Sequence, residues 1–176
     1  MKIVIPGGSG QVGGILARAF LAEGHEVVVL SRSDPSSDGA LRMVSWDATT
    51  LGDWCREVDG ADIVINLAGR SVNCRYTDTN MKQMMDSRVD SARAVGQAIA
   101  QASSPPRVWL QMSTATIYAH RFDGPNDEAS GLIGGEEEGV PDYWAYSIAI
   151  AQAWERELDA AATPDTRKVA LRTAMV

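Results

Sequence analysis

The sequence predicts an α/β protein built on a doubly wound parallel sheet, and three observations carry that reading. Short apolar runs alternate strictly with helix-periodic stretches along 176 residues, about one domain's length. One of those runs, Ala61 to Leu67, is apolar almost without interruption, as a strand covered on both faces must be. The first run, Ile3-Val4-Ile5, leads directly into Gly-Gly-Ser-Gly-Gln-Val-Gly, a tight strand-to-helix turn. Six strands follow from the pattern, in the expected order 3-2-1-4-5-6.

Each element has its own signal. After the glycine turn, Val12, Ile15, Leu16, Ala19 and Phe20 fall on one helical face, and Gly24 stops the first helix. Glu26 to Leu30 reads as a buried second strand and Arg42 to Trp46 as a weaker third, with a short helical stretch near 51–58. Ala61 to Leu67 is the fourth strand. Residues 79–102 read as a long helix, with Met84, Met85, Ala92, Val95 and Ile99 near one face and Pro105-Pro106 beyond its end. Met81, Met84 and Met85 read as core filler. Arg107 to Met112 is the fifth strand, 142–162 a second long helix, and Lys168 to Arg172 the sixth strand. A loop of roughly twenty residues, 119–141, separates strand five from the last helix; loops of that length are functional lids or irregular segments. Its acidic triplet Glu136-Glu137-Glu138 reads as a solvated tip.

Composition narrows the partners. With 45% hydrophobic and 22% charged residues the chain can bury a core, and a net charge of -7 argues against nucleic acid, whose phosphates attract basic faces. No segment approaches the roughly 18 apolar residues of a membrane span, and nothing resembles a signal peptide. Cys55 and Cys74 share no spacing that suggests a disulfide framework or a metal site, so no metal is expected. A cytoplasmic protein with a small-molecule substrate is the expectation, with a homo-oligomer left open.

The glycine turn is the strongest chemical signal. Gly7, Gly10 and Gly13, with Ser9, Gln11 and Val12 between them, form a G-x-x-G-x-x-G turn that lets backbone approach a pyrophosphate at a helix N-terminus. At the end of strand two, where a carboxylate would bind the ribose 2′-hydroxyl of NAD, stands Leu30-Ser31-Arg32. A guanidinium suits a 2′-phosphate, so NADP is favoured; Asp34 keeps NAD open, and a plain surface arginine is the alternative. After strand three, Asp47 either accepts from the adenine amine or caps the following helix. After strand four, Leu67-Ala68-Gly69 offers small residues where a nucleotide must pass close to backbone, or else a plain strand-to-loop turn.

These segments together resemble the extended short-chain dehydrogenase/reductase superfamily, the NAD-dependent epimerase/dehydratase group. The resemblance runs through GGSGQVG, HEVVVLSR (25–32), WD (46–47), NLAG (66–69), SRV (87–89) and MSTATIYA (112–119). More narrowly, Arg75-Tyr76-Thr77, SRV and Trp154-Glu155 resemble a divergent subgroup labelled only as epimerase family proteins. The resemblance implies a Rossmann domain over 1–176 that binds NAD(P), an oxidoreductase or epimerase activity, and a C-terminal substrate-binding region that this chain lacks. It places Ser113 beside the cofactor and Thr114 at the position of the hydroxyl that polarises the substrate oxygen. The tyrosine and lysine that complete such a site do not appear: Ser147 and Ala151 stand there, and residues 142–155 contain no lysine. Tyr143, one turn before Ser147, and Tyr146, rotated by about 100° from it, are the candidate substitutes, with packing under the loop as their alternative. His120 is a weaker one. Arg88 stands at the family's Asn position, where it would bind an anionic substrate or cofactor phosphates, or be a surface residue. A non-catalytic NADP-binding sensor or scaffold protein is the rival reading.

Overall fold

The computed structural model describes residues 1–32, 41–121 and 123–174. Six strands, β1 (Lys2–Pro6), β2 (Glu26–Ser31), β3 (Arg42–Ser45), β4 (Ile63–Asn66), β5 (Val108–Thr114) and β6 (Arg167–Thr173), form one sheet in the order β3-β2-β1-β4-β5-β6. Every pairing is parallel, from Ile3 beside Val27 and Ile63 to Thr114 beside Thr173. This is the doubly wound Rossmann arrangement that the alternating pattern predicts. The order reverses beside β1, where the chain leaves β1 for α1 on one face and β4 for α3 on the other, the place where sheets of this kind hold a ligand.

Alternation along each strand assigns the two faces. Val4, Val28, Leu30, Val64 and Trp109 point one way, into a core completed by Trp54 and Val58 of the α2 region (Cys55–Val58). Ala94, Val95, Ala98 and Ile99 of α3 (Asp78–Gln101) and Leu158 of α4 (Asp142–Ala160) close it. Ile3, Ile5, Val27, Val29 and Ile65 point the other way, onto α1 (Gln11–Ala22). Helices therefore lie on both faces, as right-handed crossovers require.

Four local expectations need correcting. On α1 the inward face is Gly13, Leu16, Ala17, Phe20 and Leu21, while Ile15 is 54% exposed and Ala19 also faces out. The inward face is thus turned by about one residue from the expected one: Ile15 shares the outer side with Gln11 and Arg18, and Gly13 rests on the turn. The helix before β4 is one turn long, starting at Cys55 rather than near Leu51. Strand β5 continues two residues further, so Ser113 and Thr114 belong to the sheet and their side chains point to opposite faces. The long loop is not wholly irregular: Tyr118 and Ile133 form an antiparallel bridge, and Glu137, instead of a solvated tip, accepts from the Gly135 and His120 N–H groups.

Candidate cofactor cleft

The glycine turn is a packing necessity before it is anything else. Gly7 lies at φ +75°, and a Cβ there would fall 2.7 Å from the Ala68 backbone, so β1 and β4 could not close together with a larger residue. At Gly13 an added Cβ would come within 2.4 Å of Gly8 Cα, so the first turn of α1 rests on the turn backbone. Gly7 N–H donates to Leu30 O at 2.9 Å and Ser31 Oγ to Ser9 Oγ at 3.1 Å, which fasten the turn to β2. Gly10 is the N-cap and brings no side chain, and the N–H groups of Gln11 and Val12 lead the helix without an intrahelical acceptor. A helix that opens this way presents partial positive charge and bare donors.

In front of the turn lies a cleft of about 690 Å³. Gly7, Ser9 and Gly10 form its floor, Arg32 and Asp47 one end, and Leu67, Ala68 and Gly69 the wall. The structure thus brings together eight residues singled out from the sequence. Gln11, Val12 and Gly13 lie behind this surface on α1. Asp34 lies outside the described residues. Asp47 does not cap α2, whose N-cap is Trp54; its carboxylate takes the N–H groups of Thr49 and Thr50, both at 2.8 Å, and the Thr50 hydroxyl at 2.5 Å. That hydroxyl, chiefly, holds the Asp47 carboxyl below its ordinary range. Ala48, at φ +66°, bends the chain so that Trp46 to Thr49 curl around this end.

The opposite wall was not read from the sequence. Gln83, Asp86, Ser87 and Asp90 of α3 line it, and Arg70 spans the mouth, with its N–H donating to Ser87 Oγ at 3.0 Å and its guanidinium to Asn80 Oδ1 at 2.9 Å. Helical position alone could have grouped Gln83, Asp86, Ser87 and Asp90 on one face, but not said what that face meets.

The proposed reacting residues are dispersed. Ser113 is 2% exposed and faces α4, where its hydroxyl donates to Glu155 Oε1 at 2.5 Å. Arg172 grips the same carboxylate through Nε at 2.9 Å and Nη2 at 2.8 Å and donates through Nη1 to Tyr118 Oη. Ser113 is therefore a strut between β5, α4 and β6, not part of the cleft surface. Thr114 opens on a second cavity, about 780 Å³, with Tyr118, His120, Asn126, Trp144 and Arg172. Its Oγ1 accepts from the Thr116 N–H and caps the short 3₁₀ turn 115–117. Tyr143 is 61% exposed beside Glu137 and Val140 rather than packed under the loop. Tyr146 donates to Met81 O at 2.7 Å, and burial, with Asp86 adding to it, pushes its phenol above the ordinary tyrosine range. Among the described residues, none of Thr114, Tyr143 and Tyr146 lines the cleft beneath the glycine turn.

The NAD dependent epimerase/dehydratase family model matches residues 3–162. The chain belongs to that family. Within it, the epimerase family protein SDR39U1 of Bos taurus is 29% identical over 181 aligned positions, covering all of this chain and 54% of the relative. Epimerase family protein YfhF of Bacillus subtilis is 29% identical across 67% of this chain and 39% of its own length. Human SDR39U1, crystallised with NADPH, superposes with a TM-score of 0.75 at 27% identity, over 98% of this chain and 53% of that one. A UDP-glucuronic acid 4-epimerase from Bacillus cereus shares the fold, with a TM-score of 0.75 at 17% identity, over 98% of this chain and 56% of its own. The chain spans about half the length of the relatives it matches. No helix among the described residues is long and apolar enough to cross a membrane, and no cluster of side chains there could hold a metal ion.

Proposed function

We propose that the protein binds NADP(H) in the cleft before the glycine turn and serves oxidoreductase or epimerase chemistry on a small substrate. The observation that carries this reading is the conjunction in one 690 Å³ cleft of the Gly7–Gly10 floor, the Ala68–Gly69 wall and Arg32. The fit is chemical as well as spatial. Floor and wall are so small that a pyrophosphate can lie against backbone, and the leading N–H groups of α1 complement its charge. Arg32 stands at the end of β2 with a fork that matches a 2′-phosphate, and Asp47 lines the same end. NADPH, when bound, supplies a hydride from its nicotinamide ring. That human SDR39U1 was crystallised with NADPH supports the choice of cofactor.

The experiment is a calorimetric titration with NADPH and with NADH. Saturable binding with NADPH the tighter ligand is expected; the absence of heat from both would remove the cofactor assignment.

One observation favours the second reading, a binding protein without turnover. Tyr146 spends its proton on a backbone carbonyl, and helix α4 offers no lysine to lower its pKa. A protein that binds NADPH yet transfers no hydride to any carbonyl compound in a broad screen, by loss of absorbance at the nicotinamide band, would be a sensor.

A further inference from the structure

Beside the cleft wall stands a cation that no carboxylate among the described residues pairs with. Arg88 projects from α3 back toward the N-terminus of its helix, as long helical side chains do, and its Nη1 donates to Met84 O at 3.0 Å. One face of the guanidinium covers the Trp154 ring, with Cζ 5.1 Å from its centroid. The guanidinium also lies against Gly69, where an added Cβ would fall 3.3 Å from Cζ and 3.5 Å from Nε. The group is mostly out of water, and burial pushes it below the ordinary arginine range. A guanidinium has five N–H donors. Among the described residues the Met84 carbonyl is the only acceptor it reaches, and no carboxylate pairs with it. The nearby acids are engaged elsewhere, Asp86 with Lys82 and Asp90 with Arg93.

The same molecule shows what such a group ordinarily does. Arg172, also stacked on an aromatic ring, presents its Nε and Nη2 edge to both oxygens of Glu155. The equivalent edge of Arg88 meets no acceptor. Neither Nε nor Nη2 is among the fully buried unpartnered polar atoms of the described residues, so this edge is open to an incoming acceptor. Gly69 decides where the completing group would come from. It belongs to the cleft wall, one residue beyond Ala68, against which the glycine turn packs, and Arg88, which does not itself line the cleft, lies directly against it. Tyr76, 44% exposed, is close enough to act electrostatically on Arg88.

We propose that the Nε and Nη2 edge of Arg88 receives a carboxylate of the substrate where the cleft passes Gly69, making Arg88 the residue that selects an acidic small molecule. The inference rests on the proposed function for the direction of approach, and it adds the chemical class of substrate. A planar carboxylate matches this edge in two parallel hydrogen bonds, whereas the dinucleotide phosphates lie before the turn.

The test uses the full chain with benzoate and inorganic phosphate as probes, each titrated with and without NADPH. The Arg88 Nε–Hε resonance, identified by its loss in Arg88→Lys, is followed by NMR alongside calorimetry. A saturable benzoate-induced shift of that resonance is expected. Arg88→Gln should weaken benzoate by about tenfold or more, the loss of roughly one charge-assisted pair, and leave NADPH within about twofold. Arg88→Lys keeps the charge but not the paired edge, so it should also lose most of the benzoate affinity; it serves if the glutamine variant does not fold. Three results overturn the proposal: an Arg88 resonance that benzoate does not move, a benzoate affinity unchanged in both variants, or an NADPH affinity that falls tenfold with Arg88→Gln, which would give the anion to the cofactor. Wild-type protein that binds benzoate through Arg88 but no NADPH would sink the cofactor assignment and leave this one standing.

Discussion

Single atoms govern the cleft. At Gly13 the clearance is so small that Gly13→Ala must push α1 off the turn; overpacking of this kind costs about 1–3 kcal/mol, and a lower melting temperature with weakened NADPH binding is expected. Arg32→Ala removes the charge offered to a 2′-phosphate without touching the fold. NADPH affinity should drop by about ten- to a hundredfold, the worth of one or two charge-assisted bonds, with NADH nearly unchanged; equal losses in parallel titrations would take Arg32 out of that role. Asp47 gives a pH signature. Its carboxyl is held below the unfolded value, first by the Thr50 hydroxyl, so its contribution is present above about pH 4 and disappears as pH falls through the folded pKa. Melting curves of the wild type and Asp47→Asn should differ near neutrality and converge at low pH; a gap that persists in acid would show that the carboxylate's charge is not what holds the 47–50 turn.

At the level of elements, the Glu155 carboxylate binds three of them at once. It takes Ser113 from β5 and two donors of Arg172 from β6 while belonging to α4, which fixes the last strand and the last helix as a unit. The Glu155 side chain is 12% exposed and Arg172 29%, so water screens the pair only partly. Glu155→Gln should cost about 2 kcal/mol, between a single charged hydrogen bond and a fully buried pair, read as a shift in urea midpoint. A double-mutant cycle with Arg172→Met would show coupling if the pair acts as drawn, and additivity would dismiss it. Helix α1 carries a different lesson. Leu16, Ala17, Phe20 and Leu21 turn inward together with Gly13, which rests on the turn, while Ile15 turns outward with Gln11, Arg18 and Ala19.

For the whole molecule, the crevice exists because the strand order reverses at β1, and everything that lines it comes from distant parts of the chain: residues near 7, 32, 47, 68 and 87. A ligand bound there braces β1, β2, β4 and α3 against one another. Saturating NADPH at 100 times its Kd should therefore stabilise the fold by about 2.7 kcal/mol, visible as a rise in melting temperature, and no rise at that concentration would contradict the proposed site.

The sequence by itself determined the features written in short stretches of chain. Strand runs, helix ends, the glycine turn and Arg32 in place of an Asp or Glu after β2 are local, and local geometry fixes what they do; alternation of strand and helix then predicts a parallel sheet with right-handed crossovers, and the glycine turn after the first strand points to the order 3-2-1-4-5-6 that the sheet shows. Tertiary structure alone decided which side chains share a space. Ser113 and Thr114 are neighbours in sequence, yet strand pleating sends one into a strut with Glu155 and the other into a separate cavity. Arg88 looks like an ordinary helical arginine until Gly69 and Trp154, from elsewhere in the chain, lie against it and, among the described residues, only the Met84 carbonyl takes one of its donors. Periodicity records the direction in which a side chain leaves its own element, and the opposing surface that meets it is contributed by residues tens of positions away.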